Sequence, residues 1–175
     1  GPTGIGKSTM IRLLLALLKP RAGRISLYDS ESEVTVSPAT RINMVYVPQG
    51  NSLFSGTVRD NLLMGNPEAT QKQLEDALHV AAADFVFSLP SGLDTQCMEA
   101  GAGLSEGQAQ RIAIARALLR PGSVLLLDEF SSALDAETET ILLERLTKEL
   151  PDHTMIFITH RDKIIDYCDS VLRLA

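Results

Sequence analysis

The chain opens on GPTGIGKST, residues 1–9, and no other stretch restricts its fold as tightly. With Gly1, Gly6, Lys7 and Ser8 in the fixed positions, the spacing is that of a phosphate-binding loop leading into a helix. Glycines let the backbone wrap an anion so that successive N–H groups point inward. Lys7 brings a mobile positive charge to β- and γ-phosphates, and the Ser8 hydroxyl suits Mg²⁺. The helix starting near Ser8 adds the positive end of its dipole. Every residue of the loop (Gly1, Pro2, Thr3, Gly4, Ile5, Gly6, Lys7, Ser8 and Thr9) is therefore a candidate nucleotide contact. The plainer alternative is a Gly-rich turn in front of a helix.

Beyond the loop, helical and extended patterns alternate. Met10, Leu13, Leu14, Leu17 and Leu18 predict a helix over 9–18, stopped by Lys19-Pro20. Short strands are expected at 24–28 and 34–36, and a buried strand at 43–47, cut off by Pro48. Thr70 with Gln73 forms a capping box, after which Leu74, Ala77, Leu78, Ala81 and Phe85 recur at helical spacing. Ser105 with Gln108 makes a second box, opening a helix to Arg120 before Pro121-Gly122. The aliphatic run 124–127 has the composition of a parallel strand covered on both faces. A helix over 138–150, with Glu144 and Lys148 paired at i, i+4, precedes a buried strand at 154–159. A short helix at 162–168 and a closing strand at 171–174 complete the pattern. Strands alternating with helices at both ends predict an α/β fold: a mainly parallel sheet flanked by helices, with a helical insertion. The expected organisation is one domain over 1–175, its core 1–50 and 121–175 and its helical subdomain about 51–120.

Composition narrows the function classes. A length of 175 residues, 45% apolar, suits a single globular domain with a proper core. With 16 Lys and Arg against 22 Asp and Glu, the net charge is −6, so no nucleic-acid partner is expected. Cys97 and Cys168 are the only cysteines, which excludes a disulfide framework or a cysteine zinc site. The aliphatic run 13–18 is far shorter than the roughly 18 residues of a membrane span.

Two further stretches carry chemistry. VLLLDE, 124–129, delivers Asp128 to the carboxyl end of a buried strand, where α/β sheets bind ligands. Asp128 is placed to hold Mg²⁺ and Glu129 to polarise an attacking water; two acids opening a loop after a core strand are the plain alternative. LSEGQ, 104–108, is accounted for in part by capping, but capping leaves Gly107 unexplained, since glycine costs a helix about 1 kcal/mol relative to Ala. A glycine in the first turn, with exposed N–H groups and a Ser, also suits an anion.

Taken in order, the phosphate loop, Gln49 after a strand, LSEGQ, VLLLDE, SSALD (131–135) and Thr159-His160 resemble the nucleotide-binding domain of ATP-binding cassette (ABC) proteins. The resemblance covers nearly the whole chain and implies an ABC-type phosphate-loop NTPase fold whose first strands, and the aromatic that stacks on adenine, precede Gly1. It implies ATP and Mg²⁺ as ligands, with Ser8, Gln49 and Asp128 around the metal. Glu129 is implied as general base, His160 as the contact to the γ-phosphate, and Gln49 as the sensor of the lytic water and of a coupled partner. Two such domains pack head to tail, so Ser105, Gly107 and Gln108 would serve the partner's ATP, and Asp135 would communicate across the dimer.

SLFSGTVRDNL (52–62) is similar to the exporter segment on which a membrane domain docks, and DTQCMEAGAGLSEGQ (94–108) to the exporter loop before the signature, with Glu99 and Gly101 in place. The implied function is ATP hydrolysis that powers export, at the cytoplasmic face of the cell membrane, with a transmembrane domain fused upstream of Gly1. A soluble or importer-type ATPase subunit and an inactive nucleotide-binding fragment are the alternatives. The chain departs from the family pattern at Glu106, Met98 and Tyr28-Asp29, none of which removes a catalytic group.

Overall fold

The computed structural model describes residues 5–50, 52–97 and 103–173. In chain order its elements are α1 (Lys7–Leu14), β1 (Ser26–Tyr28), β2 (Glu33–Thr35), β3 (Met44–Val47), β4 (Gly56–Thr57), α2 (Val58–Leu63), α3 (Gln71–Val80), β5 (Gln96–Cys97), α4 (Glu106–Leu118), β6 (Val124–Asp128), α5 (Ala136–Glu149) and β7 (Thr154–Ile158). Short 3₁₀ segments cover Pro38–Asn43, Asp84–Ser88, Gly92–Asp94 and Asp162–Tyr167.

The three aliphatic runs pair as a parallel sheet in the order β3-β6-β7. Met44 lies opposite Val124 and Val47 opposite Leu127, while Val124 pairs with Thr154 and Asp128 with Ile158. Alternation along these strands serves two faces. Val45, Val47, Leu125 and Leu127 enter the main core with Phe130, Ile112, Leu142 and Leu146, whereas Met44, Val124 and Leu126 pack on the other side with Leu14, Leu27 and Ile156.

The two expected capping boxes form as reciprocal hydrogen-bonded pairs at Thr70/Gln73 and Ser105/Gln108. A third, Thr57/Asp60, opens α2. The strand expected at 24–28 is shortened to Ser26–Tyr28, and the one at 34–36 is displaced by one residue to Glu33–Thr35. The two form an antiparallel hairpin, its turn held by Asp29 Oδ1, which accepts from the N–H groups of Glu31 and Ser32 at 2.9 and 2.8 Å.

Three expectations are corrected. The first helix begins at Lys7 and ends at Leu14, because Ala16 takes a left-handed backbone (φ 51°). Arg41 completes the helix end from another segment, donating to the carbonyls of Leu15 and Ala16 at 2.7 and 2.9 Å. Leu17 and Leu18 are thereby left exposed. Phe85 falls beyond α3, since Ala82 (φ 53°) breaks the helix and a 3₁₀ turn succeeds it. Finally, Val171–Arg173 are irregular and exposed: a strand needs a ladder, and these described residues have no pairing neighbour.

Candidate functional site

The site forms where the parallel strands end. Glu129 directly follows β6, and its N–H donates to the Ile158 carbonyl at 2.8 Å, so the chain turns there while still bound to β7. The turn places Glu129 at φ 46°, a left-handed conformation uncommon for a residue with a side chain. His160 lies two residues past β7 at the same end. Gln49 lies two residues past β3, at the same end of the sheet. Parallel topology is what gathers these distant positions, since every strand delivers its carboxyl end to one edge.

Glu129 is held from both sides. Lys7 Nζ donates to Oε1 at 3.0 Å, and Nδ1 of His160 lies 2.8 Å from Oε2. Burial works to raise the Glu129 carboxyl, but hydrogen bonds from Lys7 and His160 outweigh it and hold the group below the usual range. Asp128 is in the opposite condition. Burial lifts its carboxyl above the usual value despite a hydrogen bond from the Tyr46 hydroxyl to Oδ2 at 3.2 Å, and the adjacent Glu129 charge adds to the rise. Tyr46 has no signal in the sequence as a site residue; it becomes one only because β3 pairs with β6.

The remaining candidates divide. Ser8 and Thr9 open α1 and are exposed, Ile5 and Gly6 precede it, and Gly1, Pro2, Thr3 and Gly4 lie outside the described residues, as do Met98, Glu99 and Gly101. Gln49 is exposed and makes no hydrogen bond among the described residues. Ser105, Gly107 and Gln108 sit at the start of α4 and make no hydrogen bond to the Lys7–Glu129–His160 group. Gly107 has a packing reason that the sequence does not reveal: a Cβ there would stand 2.7 Å from the Ala133 carbonyl oxygen. Asp135 caps α5, accepting from the N–H groups of Glu137 and Thr138 at 3.1 and 2.9 Å. The N–H of Thr138, then its hydroxyl, lowers the Asp135 carboxyl.

The two exporter-like stretches adjoin. Gly56 and Thr57 pair with Cys97 and Gln96, so the segment after Gln49 and the stretch leading to the signature form one small sheet. Buried Asn61 braces that segment through both main-chain groups of Phe54, and Arg116 of α4 donates to Ser52 at 3.0 and 2.7 Å.

The side chains expected around Mg²⁺ carry the donor type that this cation takes. Ser8, Gln49 and Asp128 offer only hard oxygens, with a single carboxylate, and such a set completes itself with substrate phosphates rather than with a protein cage. Among the described residues no cluster of three His, Cys, Asp or Glu able to hold a metal occurs.

Comparison with known proteins adds the deciding observation: the model of a family described as ABC transporter matches residues 1–132. The chain belongs to this family. Its fold is accordingly the ABC-type phosphate-loop NTPase fold. An Atm1-family bacterial ABC exporter with ATP bound superposes on this ABC chain with a TM-score of 0.83 and 39% identity, covering 94% of the chain and 29% of the exporter. The mycobactin import ATP-binding/permease protein IrtB of Mycolicibacterium smegmatis is 39% identical over 175 residues, 99% of this chain and 30% of IrtB. The ABC multidrug transporter mdr2 of Aspergillus fumigatus is 41% identical over 176 residues, all of this chain and 22% of that protein. The ABC chain thus spans less than a third of the length of these relatives. Among its described residues no helix is long and apolar enough to cross a membrane.

Proposed function

We propose that the chain hydrolyses ATP to power export through a membrane domain, acting at the cytoplasmic face of the membrane against a second nucleotide-binding domain. The observation that carries this reading is the convergence of Lys7, Asp128, Glu129 and His160 at the carboxyl end of one parallel sheet. Residues 1–9 would wrap the phosphates, Lys7 exchanging its Glu129 partner for them. That exchange leaves Glu129 Oε1 open to accept a proton from water, while His160 keeps Oε2 and thus the orientation of the base. Ser8, Gln49 and Asp128 would hold Mg²⁺, which neutralises phosphate charge when bound. The raised Asp128 carboxyl favours a cation beside it.

Ser105, Gly107 and Gln108 are assigned to the partner's nucleotide, and Asp135 to communication across the dimer. Supporting this, α4 is a helix of 13 residues whose first-turn residues make no hydrogen bond to the chain's own Lys7–Glu129–His160 group among the described residues. Residues 51–120 would act as the helical subdomain on a core of 1–50 and 121–175. Similarity of 52–62 and 94–108 to exporter segments, and the likeness to an Atm1-family exporter, favour export.

The test is turnover of MgATP by the intact protein in membranes. Replacing Glu129 with Gln is expected to lower it at least about 100-fold, the scale of general-base catalysis. Undiminished turnover sinks the assigned base.

A further inference from the structure

Among the described residues, Gln110 is the polar side chain that packing leaves least satisfied. It sits on α4 at 1% exposure, and neither its Nε2 nor its Oε1 has a hydrogen-bond partner. Buried amides are nearly always paired, so an unpaired one calls for a partner in another state of the molecule. Three relationships say where that partner lies.

Helical spacing puts Gln110 on one face with Ala113 and Ala117. Ala113 and Ala117 line a cavity of about 240 Å³ together with Val47 and Pro48, so this face of α4 is turned to the carboxyl end of β3. Side chains on a helix lean toward its N-terminus, which carries Gln110 from Ala113 further past the end of that strand. Beyond the strand come Gln49 and Gly50, and their main chain makes no hydrogen bond among the described residues. The unpaired carboxamide, one donor group and one acceptor, and the unpaired N–H and C=O groups of Gln49–Gly50 thus belong to the same end of the α4–β3 packing.

We propose that Gln110 is a positioning residue for Gln49. With nucleotide bound, its carboxamide accepts from one main-chain N–H of Gln49–Gly50 and donates to one carbonyl there. This holds the Gln49 side chain toward the phosphates and ties it to the helix that carries Ser105 and Gly107. The inference rests on the nucleotide-hydrolysis reading above and adds the residue that transmits between its two motifs.

The experiment is amide hydrogen exchange of the intact protein with and without Mg²⁺ and a non-hydrolysable ATP analogue. The analogue is expected to slow exchange at Gln49 and Gly50 at least about tenfold in the parent and not in Gln110→Met. The Met variant, which removes the unpaired amide at nearly constant volume, should melt no lower than the parent; Gln110→Leu is the second variant should Met disturb packing. Turnover should fall about tenfold, with less than about twofold further loss when Gln110→Met is added to Gln49→Ala. No slowing in the parent, slowing retained in both variants, or fully additive losses overturn the proposal. A parent that shows the slowing yet hydrolyses no ATP sinks the hydrolysis reading and leaves this one standing.

Discussion

Lys7 and Glu129, separated by 122 positions in sequence, form a direct ion pair at 3.0 Å in a site where both are largely withdrawn from water. The lysine proposed to meet the nucleotide phosphates is thus already engaged by the carboxylate proposed as base. On that proposal phosphate and Glu129 compete for one ammonium group.

That competition predicts an affinity change opposite in sense to the catalytic one. Glu129→Gln removes the charge that holds Lys7 and is expected to tighten binding of a non-hydrolysable ATP analogue a few-fold, about 1 kcal/mol. Isothermal titration calorimetry on the intact protein checks it. Unchanged or weaker binding means that Lys7 gives up nothing when phosphate arrives.

Gly107 is needed at the contact between α4 and the 131–135 loop. Its first-turn position leaves no room for a methyl group against the Ala133 carbonyl. Gly107→Ala should therefore destabilise the fold by about 1–3 kcal/mol, the range for overpacking, despite Ala being the better helix former. A thermal melt lowered by several degrees is the expected result. A variant as stable as the parent shows that the loop can give way.

Ser105 separates capping from trans recognition. Its side chain accepts from the Gln108 N–H at 3.1 Å, so Ser105→Ala loses a cap worth about 1 kcal/mol. Ser105→Arg is expected to abolish ATP turnover while the protein still binds nucleotide. Binding measured beside turnover decides the matter, because loss of both contradicts a role at the partner's nucleotide.

Asp84 links the turn after α3 to α5. Burial alone would raise its carboxyl, but hydrogen bonds from Arg145 and His79 prevail and hold it below the usual value. A depressed carboxyl contributes stability that is fully present above its unfolded value, about 3.9, and is lost as pH falls through the lower folded value. Asp84→Asn should melt below the parent at neutral pH, and the difference should close in acid below about pH 4. Melting curves that stay equally far apart at all pH values would falsify the linkage.

How much of this was legible depended on the range of the forces involved. The caps at Thr70 and Ser105 were readable because each is completed by a residue three positions on. β6 is readable because a strand buried on both faces is aliphatic along its length, and β3 and β7 because each is a short apolar run bounded by polar or turn residues. Leu17 and Leu18 were misplaced because the group that satisfies the end of α1 is Arg41, and no local pattern announces a cap arriving from another segment. The strand expected at 171–174 does not form over its described residues 171–173 for the same reason: apolar content suggests extension, but only a neighbouring ladder makes it a strand.

By itself the sequence determined the chemistry on offer: a phosphate loop at 1–9, an acid pair at 128–129, a histidine at 160 and a signature at 104–108, each a local arrangement of residue types. Only the tertiary structure decided which of these meet. His160 reaches one oxygen of Glu129 because β6 pairs in parallel with β7, Lys7 reaches the other because α1 packs on the sheet, and Tyr46 reaches Asp128 because β3 pairs with β6. The same packing set Gly107 against Ala133 and left Gln110 without a partner. Residue type is a property of a few neighbouring positions, whereas register and helix docking are settled by the burial of the whole core at once.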